Sequence, residues 1–138
     1  MKILLKTMIL LCCAITLLSC DKIDDNGDFG GRWQLTEWKT LPEGTVVATK
    51  QNFIFYSVQL DLMGFSRGSG ANAYLSRFSR QGDSLFIGKV YARPKDNEVP
   101  LTDLAQYGVP ASGRFHIQLS SNHMVLTSDE AVLKFRKY

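Results

Sequence analysis

The sequence has few of the residues that catalytic and metal sites most often use. Its 138 residues include only 3 cysteines and 2 histidines, and the cysteines (Cys12, Cys13 and Cys20) all lie within the first 20 positions. The rest of the chain therefore offers no thiol for a nucleophile, a disulfide, a zinc site or an iron–sulfur cluster. A domain of this length without disulfides must be held together by its apolar core.

The chain also lacks a strong excess of charge of one sign. Lys and Arg number 16 against 13 Asp and Glu, and two of the basic residues, Lys2 and Lys6, belong to the first six positions. The remainder is nearly balanced and shows none of the clustered basic residues that nucleic-acid binding requires. We therefore expect no nucleic-acid partner.

The N-terminus reads as a targeting segment. Lys2 and Lys6 precede an apolar stretch, Met8–Leu18, which is shorter than the about 20 residues of a membrane-spanning helix and has the length of a signal-peptide core. The segment ends in Leu17-Leu18-Ser19-Cys20, which resembles the lipobox of bacterial lipoproteins. The resemblance implies that residues 1–19 are a signal peptide and that the Cys20 thiol is acylated. A plain signal peptide followed by an incidental cysteine is the alternative.

Residues 20–30 are predicted to be the lipidated Cys20 and a flexible acidic tether, because they contain four aspartates, two glycines and an asparagine. This acidic run resembles the surface-export signal of Bacteroidetes lipoproteins, which implies an outer-membrane protein exposed at the cell surface. Under the enterobacterial sorting rule, Asp21 would instead indicate the inner membrane. We expect a lipid-anchored protein of the bacterial cell envelope, in the outer membrane.

Residues 31–138 have the pattern of one all-β domain, with alternating apolar and polar residues and frequent turn residues. Eight strands are predicted, over residues 32–39, 45–49, 53–63, 72–79, 84–91, 113–119, 123–127 and 131–137. Residues 64–70 are expected to form a flexible loop, and a tight turn is predicted at residues 80–83. In the long loop 93–111, Leu101–Tyr107 is predicted to make one short helical turn, with Thr102 as its N-cap and Gly108 as its terminator.

Most links between these strands are too short for a crossover helix, so neighbouring strands should pair antiparallel. Eight such strands can close into an up-and-down barrel, which removes both sheet edges. A barrel of this size is just wide enough to be filled by side chains or to hold one small ligand. An open sandwich of the same strands is the alternative.

Both ends of the domain resemble those of short lipocalin-like lipoproteins of the Bacteroidetes type. Gly31-Arg32-Trp33 resembles the Gly-x-Trp signature at the head of the first lipocalin strand, and residues 133–138, LKFRKY, resemble the terminal strand. The resemblance implies an eight-stranded lipocalin-like barrel in which Gly31 and Trp33 close one end. It further implies that an arginine, Arg136 or Arg114, covers the indole ring.

No catalytic site is predicted. His116 and His123 should lie at different depths of one hairpin, so they do not form a paired metal site. The glycine-rich residues 67–70 lack the Lys-Ser/Thr of a phosphate-binding loop, and no Gly-x-Ser-x-Gly elbow is present. We expect no enzymatic activity, no metal and no cofactor.

Aromatic residues crowd the central strands. Six of them are candidates for a ligand site: Phe55, Tyr56, Phe65, Tyr74, Phe78 and Tyr91. Three interpretations are open: these residues line a ligand cavity, form a surface for a partner protein, or pack beneath a covering loop. The first hypothesis is a membrane-anchored, non-catalytic lipoprotein that binds a small apolar or amphipathic ligand in the barrel or at its mouth. The alternative is an accessory envelope lipoprotein with a filled barrel, which acts through contacts with another envelope protein.

Overall fold

The computed structural model of the chain describes residues 26–48, 53–68 and 70–138. Ten strands occur in these residues: β1 (Gly31–Thr40), β2 (Val46–Ala48), β3 (Ile54–Gln59), β4 (Leu62–Arg67), β5 (Tyr74–Gln81), β6 (Ser84–Ala92), β7 (Asn97–Val99), β8 (Arg114–Leu119), β9 (His123–Thr127) and β10 (Ala131–Lys137). Two 3-10 segments, Gly27–Phe29 and Leu101–Tyr107, accompany them. The predicted signal peptide and Cys20 lie outside the described residues.

Eight of the strands form a closed antiparallel barrel in chain order: β1, β3, β4, β5, β6, β8, β9 and β10. The last strand pairs back onto the first, with Trp33 opposite Lys137 and Leu35 opposite Phe135. The three-residue strands β2 and β7 pair with β1 and β6 outside this circuit. The predicted eight-stranded up-and-down barrel is confirmed, and the open sandwich is excluded.

The number of barrel strands was predicted correctly, but their membership was not. Residues 53–63, predicted as one strand, form β3 and the start of β4, which are joined by a turn at Leu60 and Asp61. Leu60 adopts a φ of 55°, an unusual conformation for a non-glycine residue. Because no glycine or proline marks this turn, the apolar alternation runs through it unbroken. Part of the predicted loop 64–70 therefore lies in β4, and the predicted strand 45–49 lies outside the barrel as β2.

A β-bulge in β1 changes which side chains of that strand face inward. The register with β10 shifts between Leu35 and Glu37, so Thr36 is the extra residue. Simple alternation predicts that Glu37 follows Leu35 on one face and that Trp38 lies on the other. Beyond the bulge, Trp38 instead packs against the core, and Glu37 forms an ion pair with Lys134 (3.2 Å).

Large side chains fill the inward face of the barrel. The largest that are essentially unexposed are Trp33, Tyr56, Phe29, Phe65, Phe115, Phe135, Leu35, Ile54, Met63, Leu85, Leu104 and Met124. They belong to one continuous cluster of buried residues. This arrangement follows the expectation that an eight-stranded barrel is narrow enough for its own side chains to fill it.

The 3-10 turn Gly27–Phe29 covers the end of the barrel at which β1 starts, which we call the closed end. Phe29 is fully buried, and its carbonyl accepts a hydrogen bond from Trp33 Nε1 at 2.9 Å. Its ring meets that of Phe78 edge-on, with 5.4 Å between centroids. The packed domain therefore begins earlier than the predicted boundary at Gly31, because an apolar residue of the supposed tether belongs to the core.

The 3-10 helix Leu101–Tyr107 covers the opposite end, which we call the mouth. The predicted helical turn and its terminator are confirmed: Gly108 is left-handed (φ 90°) and its amide donates to the Ala105 carbonyl at 3.0 Å. The predicted N-cap is wrong. The cap residue is Pro100, which makes no side-chain capping bond, and Thr102 lies inside the helix.

Replacing Gly108 should destabilise the barrel through packing as well as backbone strain. A Cβ at this position would lie 2.9 Å from the Leu133 methyl carbons, whereas Gly82, also left-handed (φ 57°), has nothing within 4 Å of its Cβ position. We expect Gly82→Ala to cost about 1 kcal/mol from backbone strain and Gly108→Ala about 3 kcal/mol, because overpacking adds to the strain. Urea denaturation of both variants measures the difference. Equal losses would contradict the packing argument.

Candidate functional site

Three of the six aromatic candidates meet at the mouth of the barrel. Tyr56 and Phe65 are buried beside one another, with 4.7 Å between ring centroids. The ring centroid of Phe65 lies 5.7 Å from that of Tyr107 in the 3-10 helix, and the centroid of the partly buried Tyr74 lies 5.9 Å from it. Of the three alternatives for the aromatic candidates, packing beneath the covering segment 93–111 therefore describes Phe65 and Tyr74.

Polar contacts hold this helix over the mouth. Tyr56 Oη donates to the Tyr107 carbonyl at 2.6 Å, entirely within the core. Arg67, at the end of β4, donates from Nη2 to the Gln106 carbonyl at 3.0 Å, and its guanidinium carbon lies 5.4 Å from the Tyr107 ring centroid. The 3-10 helix and the Tyr107 ring therefore cover the mouth of the barrel.

Burial keeps both phenols at the mouth neutral. It raises the pKa of Tyr56 far above its ordinary value, because a phenolate there would lose its hydration. Burial also raises the pKa of Tyr107, against the opposing effect of the positive charge of Arg67. Because its pKa is raised, Tyr56 keeps the proton that it donates to the helix at alkaline pH as well as at neutral pH.

The other three candidates lie elsewhere. Phe78 packs against Phe29 at the closed end. Tyr91 lies opposite Leu75 where β5 pairs with β6. The residues before and after Tyr91 in the chain face the interior, so the Tyr91 side chain lies on the outer wall of the barrel. Phe55 also belongs to the outer wall, where its ring lies 5.0 Å from that of Tyr138. The strand alternation separates these residues from the group at the mouth.

The cation that covers Trp33 is Lys137, which corrects the prediction of Arg136 or Arg114. Lys137 Nζ lies 4.4 Å from the indole centroid and donates to the carbonyls of Asp28 (2.9 Å) and Gly30. Its side chain crosses Gly31, where a Cβ would lie 3.1 Å from Lys137 Cε. The absence of a side chain at Gly31 thus leaves room for the closing lysine.

Arg136 and Arg114 both lie on the outer wall. Because residues alternate along β10, Arg136 points away from the core, and its Nε donates to Gln34 Oε1 at 3.0 Å. The Arg114 guanidinium lies 5.3 Å from the Phe86 ring centroid, in a different part of the wall. The lipocalin resemblance identified a covered tryptophan, but the strand register decided which side chain covers it.

A pocket of about 450 Å³ opens on the outer wall where β10, β1 and β3 lie side by side, and we call it the wall pocket. It is lined by Gln34, Phe53, Phe55, Gly68, Arg136 and Tyr138. It combines aromatic surface with a guanidinium group, a combination suited to an amphipathic ligand. Of its lining residues, sequence reasoning proposed only Phe55 for ligand binding.

The two histidines are apart, as predicted. His116 pairs with Ser84 and Thr127 across the strands, and His123 pairs with Arg136. A second surface pocket, of about 440 Å³, contains His116. Within residues 26–48, 53–68 and 70–138, no group of three His, Cys, Asp or Glu side chains could hold a metal ion. Over the same residues, none of the helices has the length and apolar character needed to cross a membrane.

Sequence reasoning missed Tyr107 and Lys137. A signal for Tyr107 was available, since an aromatic residue in the last turn of a short helix within a loop commonly anchors that helix to the core. No local signal marked Lys137, because it alternates with Arg136 on a strand whose register was unknown.

Tyr56→Phe should lower the free energy of unfolding at neutral pH. It should also reduce the amount by which that free energy falls at alkaline pH. Loss of the hydroxyl leaves the buried Tyr107 carbonyl unpaired, at a cost of about 1 to 2 kcal/mol. The pKa of Tyr56 is higher in the folded state than in the unfolded state. The stabilisation that this difference gives the folded state is therefore fully present below the unfolded pKa of about 10 and is lost as the pH rises above it. Urea unfolding at pH 7 and pH 11 measures both effects.

Tyr91→Phe, on the outer wall, is the control, and its free energy of unfolding should fall at alkaline pH as much as that of the native protein. An undiminished alkaline decline in Tyr56→Phe would contradict the assignment.

Comparisons with known proteins agree with the barrel. The family profile described as lipocalin-like domain matches residues 13–138. None of the curated proteins compared with the chain matches it. Among solved structures, a lipocalin-like protein from Bacteroides uniformis is 22% identical, with a TM-score of 0.59 over 81% of this chain and 100% of that chain.

Two further solved structures share the fold. An uncharacterized protein from Bacteroides eggerthii is 19% identical, with a TM-score of 0.56 over 79% of this chain and 98% of that chain. A protein from Burkholderia xenovorans is 20% identical, with a TM-score of 0.51 over 84% of this chain and 83% of that chain. The resemblance drawn from the two ends of the domain is confirmed by the family match: the chain belongs to the lipocalin-like domain family.

Proposed function

We propose that this protein is a lipid-anchored, non-catalytic binding protein of the bacterial cell envelope. We infer that it takes a small apolar or amphipathic ligand on the outer wall of the barrel and not in its interior. The observation that carries this proposal is the wall pocket, in which exposed rings and a guanidinium group line one concavity. The expectation of a ligand inside the barrel is replaced, because side chains already fill the inward face.

The structure favours the outer wall over the mouth. A ligand that entered the interior would have to displace Tyr107 and break the buried hydrogen bond from Tyr56. It would also have to separate the rings of Phe65 and Tyr107. The wall pocket needs no such rearrangement, and its volume falls within the about 300–1,000 Å³ typical of small-molecule sites.

The proposed anchor would hold the barrel close to the membrane by its closed end. The lipobox resemblance assigns the lipid to Cys20, and the packed domain begins at the turn Gly27–Phe29. The few residues between them reach at most about 25 Å when fully extended. The closed end would therefore face the membrane, and the wall pocket would lie on the side of the barrel.

The accessory lipoprotein is the second candidate. The filled interior favours it, and the exposed rings of Phe53 and Tyr138 would then belong to a surface for another envelope protein. Both candidates use the same face of the barrel. They differ in the size of the bound species, which a mass measurement resolves.

Cys20→Ser should release the protein from the membrane. The lipobox cysteine is the acylated residue, and without it the chain has no thiol to modify at the cleavage site. Metabolic labelling with a radioactive fatty acid, followed by membrane fractionation, measures the effect. Cys13→Ser is the matched control and should keep both label and membrane association. Labelling of Cys20→Ser equal to that of the native protein would exclude the assigned anchor.

Native mass spectrometry of the mature lipoprotein, residues 20–138 purified from envelope extract in detergent, should reveal a bound small molecule that is released on denaturation. Phe53→Ser removes an exposed ring of the wall pocket without touching the core, so we expect it to lose that mass. Gln118→Ser, an exposed change on β8, should retain it. A stoichiometric second polypeptide would favour the accessory protein instead. Retention of the small molecule by Phe53→Ser would place its site elsewhere.

A further inference from the structure

We propose that the wall pocket binds the carboxylate of a small amphipathic acid. Arg136 is the anion-binding residue, and the rings of Phe53 and Tyr138 hold the apolar body of the ligand. This inference rests on the proposed function and adds the chemical class of the ligand. Three observations support it: Arg136 is in none of the described ion pairs, a buried amide orients its guanidinium group, and the rings of Phe53 and Tyr138 are exposed.

The positive charge of Arg136 has no carboxylate partner in the described part of the chain. The ion pairs there join Arg77 to Asp61, Arg93 to Asp96 and Lys134 to Glu37. The residues beside Arg136 in the cross-strand row of the outer wall are His123, Gln34, Phe55 and Ser66. None of these four side chains carries a negative charge, so no side-chain carboxylate in this row competes with an anionic ligand for Arg136.

A buried amide holds the guanidinium of Arg136 in place. Gln34 is only 5% exposed, and its Oε1 accepts the hydrogen bond from Arg136 Nε at 3.0 Å. This contact uses one of the five guanidinium N–H groups and leaves the terminal nitrogens for another acceptor. Their planar fork matches the two oxygens of a carboxylate. A guanidinium that is oriented in advance loses less freedom when a ligand binds.

A second arginine reinforces the positive potential of the pocket. The Arg32 guanidinium carbon lies 4.2 Å from the Phe55 ring centroid and 5.3 Å from that of Tyr138. Its Nη2 donates to the Gly68 carbonyl at 3.0 Å, while its buried Nε has no hydrogen-bond partner. Arg32 thus supports the pocket wall, and it takes part in none of the ion pairs of the described residues.

The apolar part of the site consists of rings that the fold leaves uncovered. Phe53 is 54% exposed and Tyr138 is 68% exposed, although both line the same concavity. Most of the other large aromatic side chains of the described chain are buried in the core or covered by a neighbour. An apolar ligand body placed against these two rings would remove their surface from water. A carboxylate on one end of that body would then reach Arg136.

The proposal is tested with two probes that share a body and differ in charge. The mature lipoprotein, residues 20–138, is titrated in neutral-detergent micelles with 3-phenylpropionate and, separately, with 3-phenylpropylamine, and backbone amide shifts are followed by NMR. We expect 3-phenylpropionate to shift the amides of Gln34, Gly68 and Arg136 saturably. The amine should bind at least about tenfold more weakly, because it cannot accept the charge-assisted hydrogen bonds.

Variants separate the two halves of the site. Arg136→Gln should weaken 3-phenylpropionate about tenfold or more, while Arg114→Gln, another outer-wall arginine that lies over an aromatic ring, should leave its affinity unchanged. Phe53→Ser should weaken 3-phenylpropionate but not propionate, which lacks the ring. Equal affinity for the acid and the amine would overturn the proposal, as would an Arg136→Gln variant with native affinity.

The outcome also distinguishes this inference from the proposed function. Saturable shifts centred on Tyr107 would mean that the ligand enters the mouth, which rejects the wall pocket but keeps a binding protein. Stronger binding of the amine at the wall pocket would reject the acidic ligand and keep the pocket. No saturable shift with either probe would reject the acidic ligand, while the native mass measurement would still report on binding.

Discussion

The structure depends on β1 pairing along both of its edges. Residues Gly31 to Gln34 pair with β3, and the same strand pairs with β10 from Trp33 to Thr40. This second pairing closes the open antiparallel sheet of eight strands into a barrel. It also confines every inward side chain to a narrow space, which residues such as Trp33, Tyr56 and Phe135 fill.

Closure explains why both ends of the barrel are covered and why we propose the outer wall as the place for a ligand. A filled barrel still exposes apolar side chains at its ends, and the two 3-10 segments cover them with Phe29 and Tyr107. The contact from Tyr56 to the Tyr107 carbonyl then ties the mouth to the core. A concave surface that contains Arg136 and two exposed aromatic rings is left where β10 meets β1, because closure brings the two ends of the domain together.

Local patterns predicted the parts of the fold that local chemistry controls. The bounds of β9 and β10 agree with prediction, as do the turn at Gly82 and the helix terminator Gly108. The turn at Leu60 was missed because nothing in its residue types interrupts the alternation. The bulge at Thr36 was missed for a related reason: an extra residue is defined only by the strand opposite it. The sequence named Phe55 among the residues that line the wall pocket. At the closed end it named Gly31 and Trp33 but not Lys137, which covers the indole ring.

The sequence by itself determined the all-β class, the antiparallel order of neighbouring strands and the membership of a family, since periodicity, link lengths and terminal motifs are local properties. Only the tertiary structure decided which side chains meet. Arg136 and Gln34 are 102 positions apart, and their contact exists because the barrel closes in one register. The same register places Lys137, and not Arg136, over Trp33. A shift of one residue in the pairing would exchange the two faces of the strand. Which residues form the site therefore depends on how the strands pair and cannot be read from any single strand.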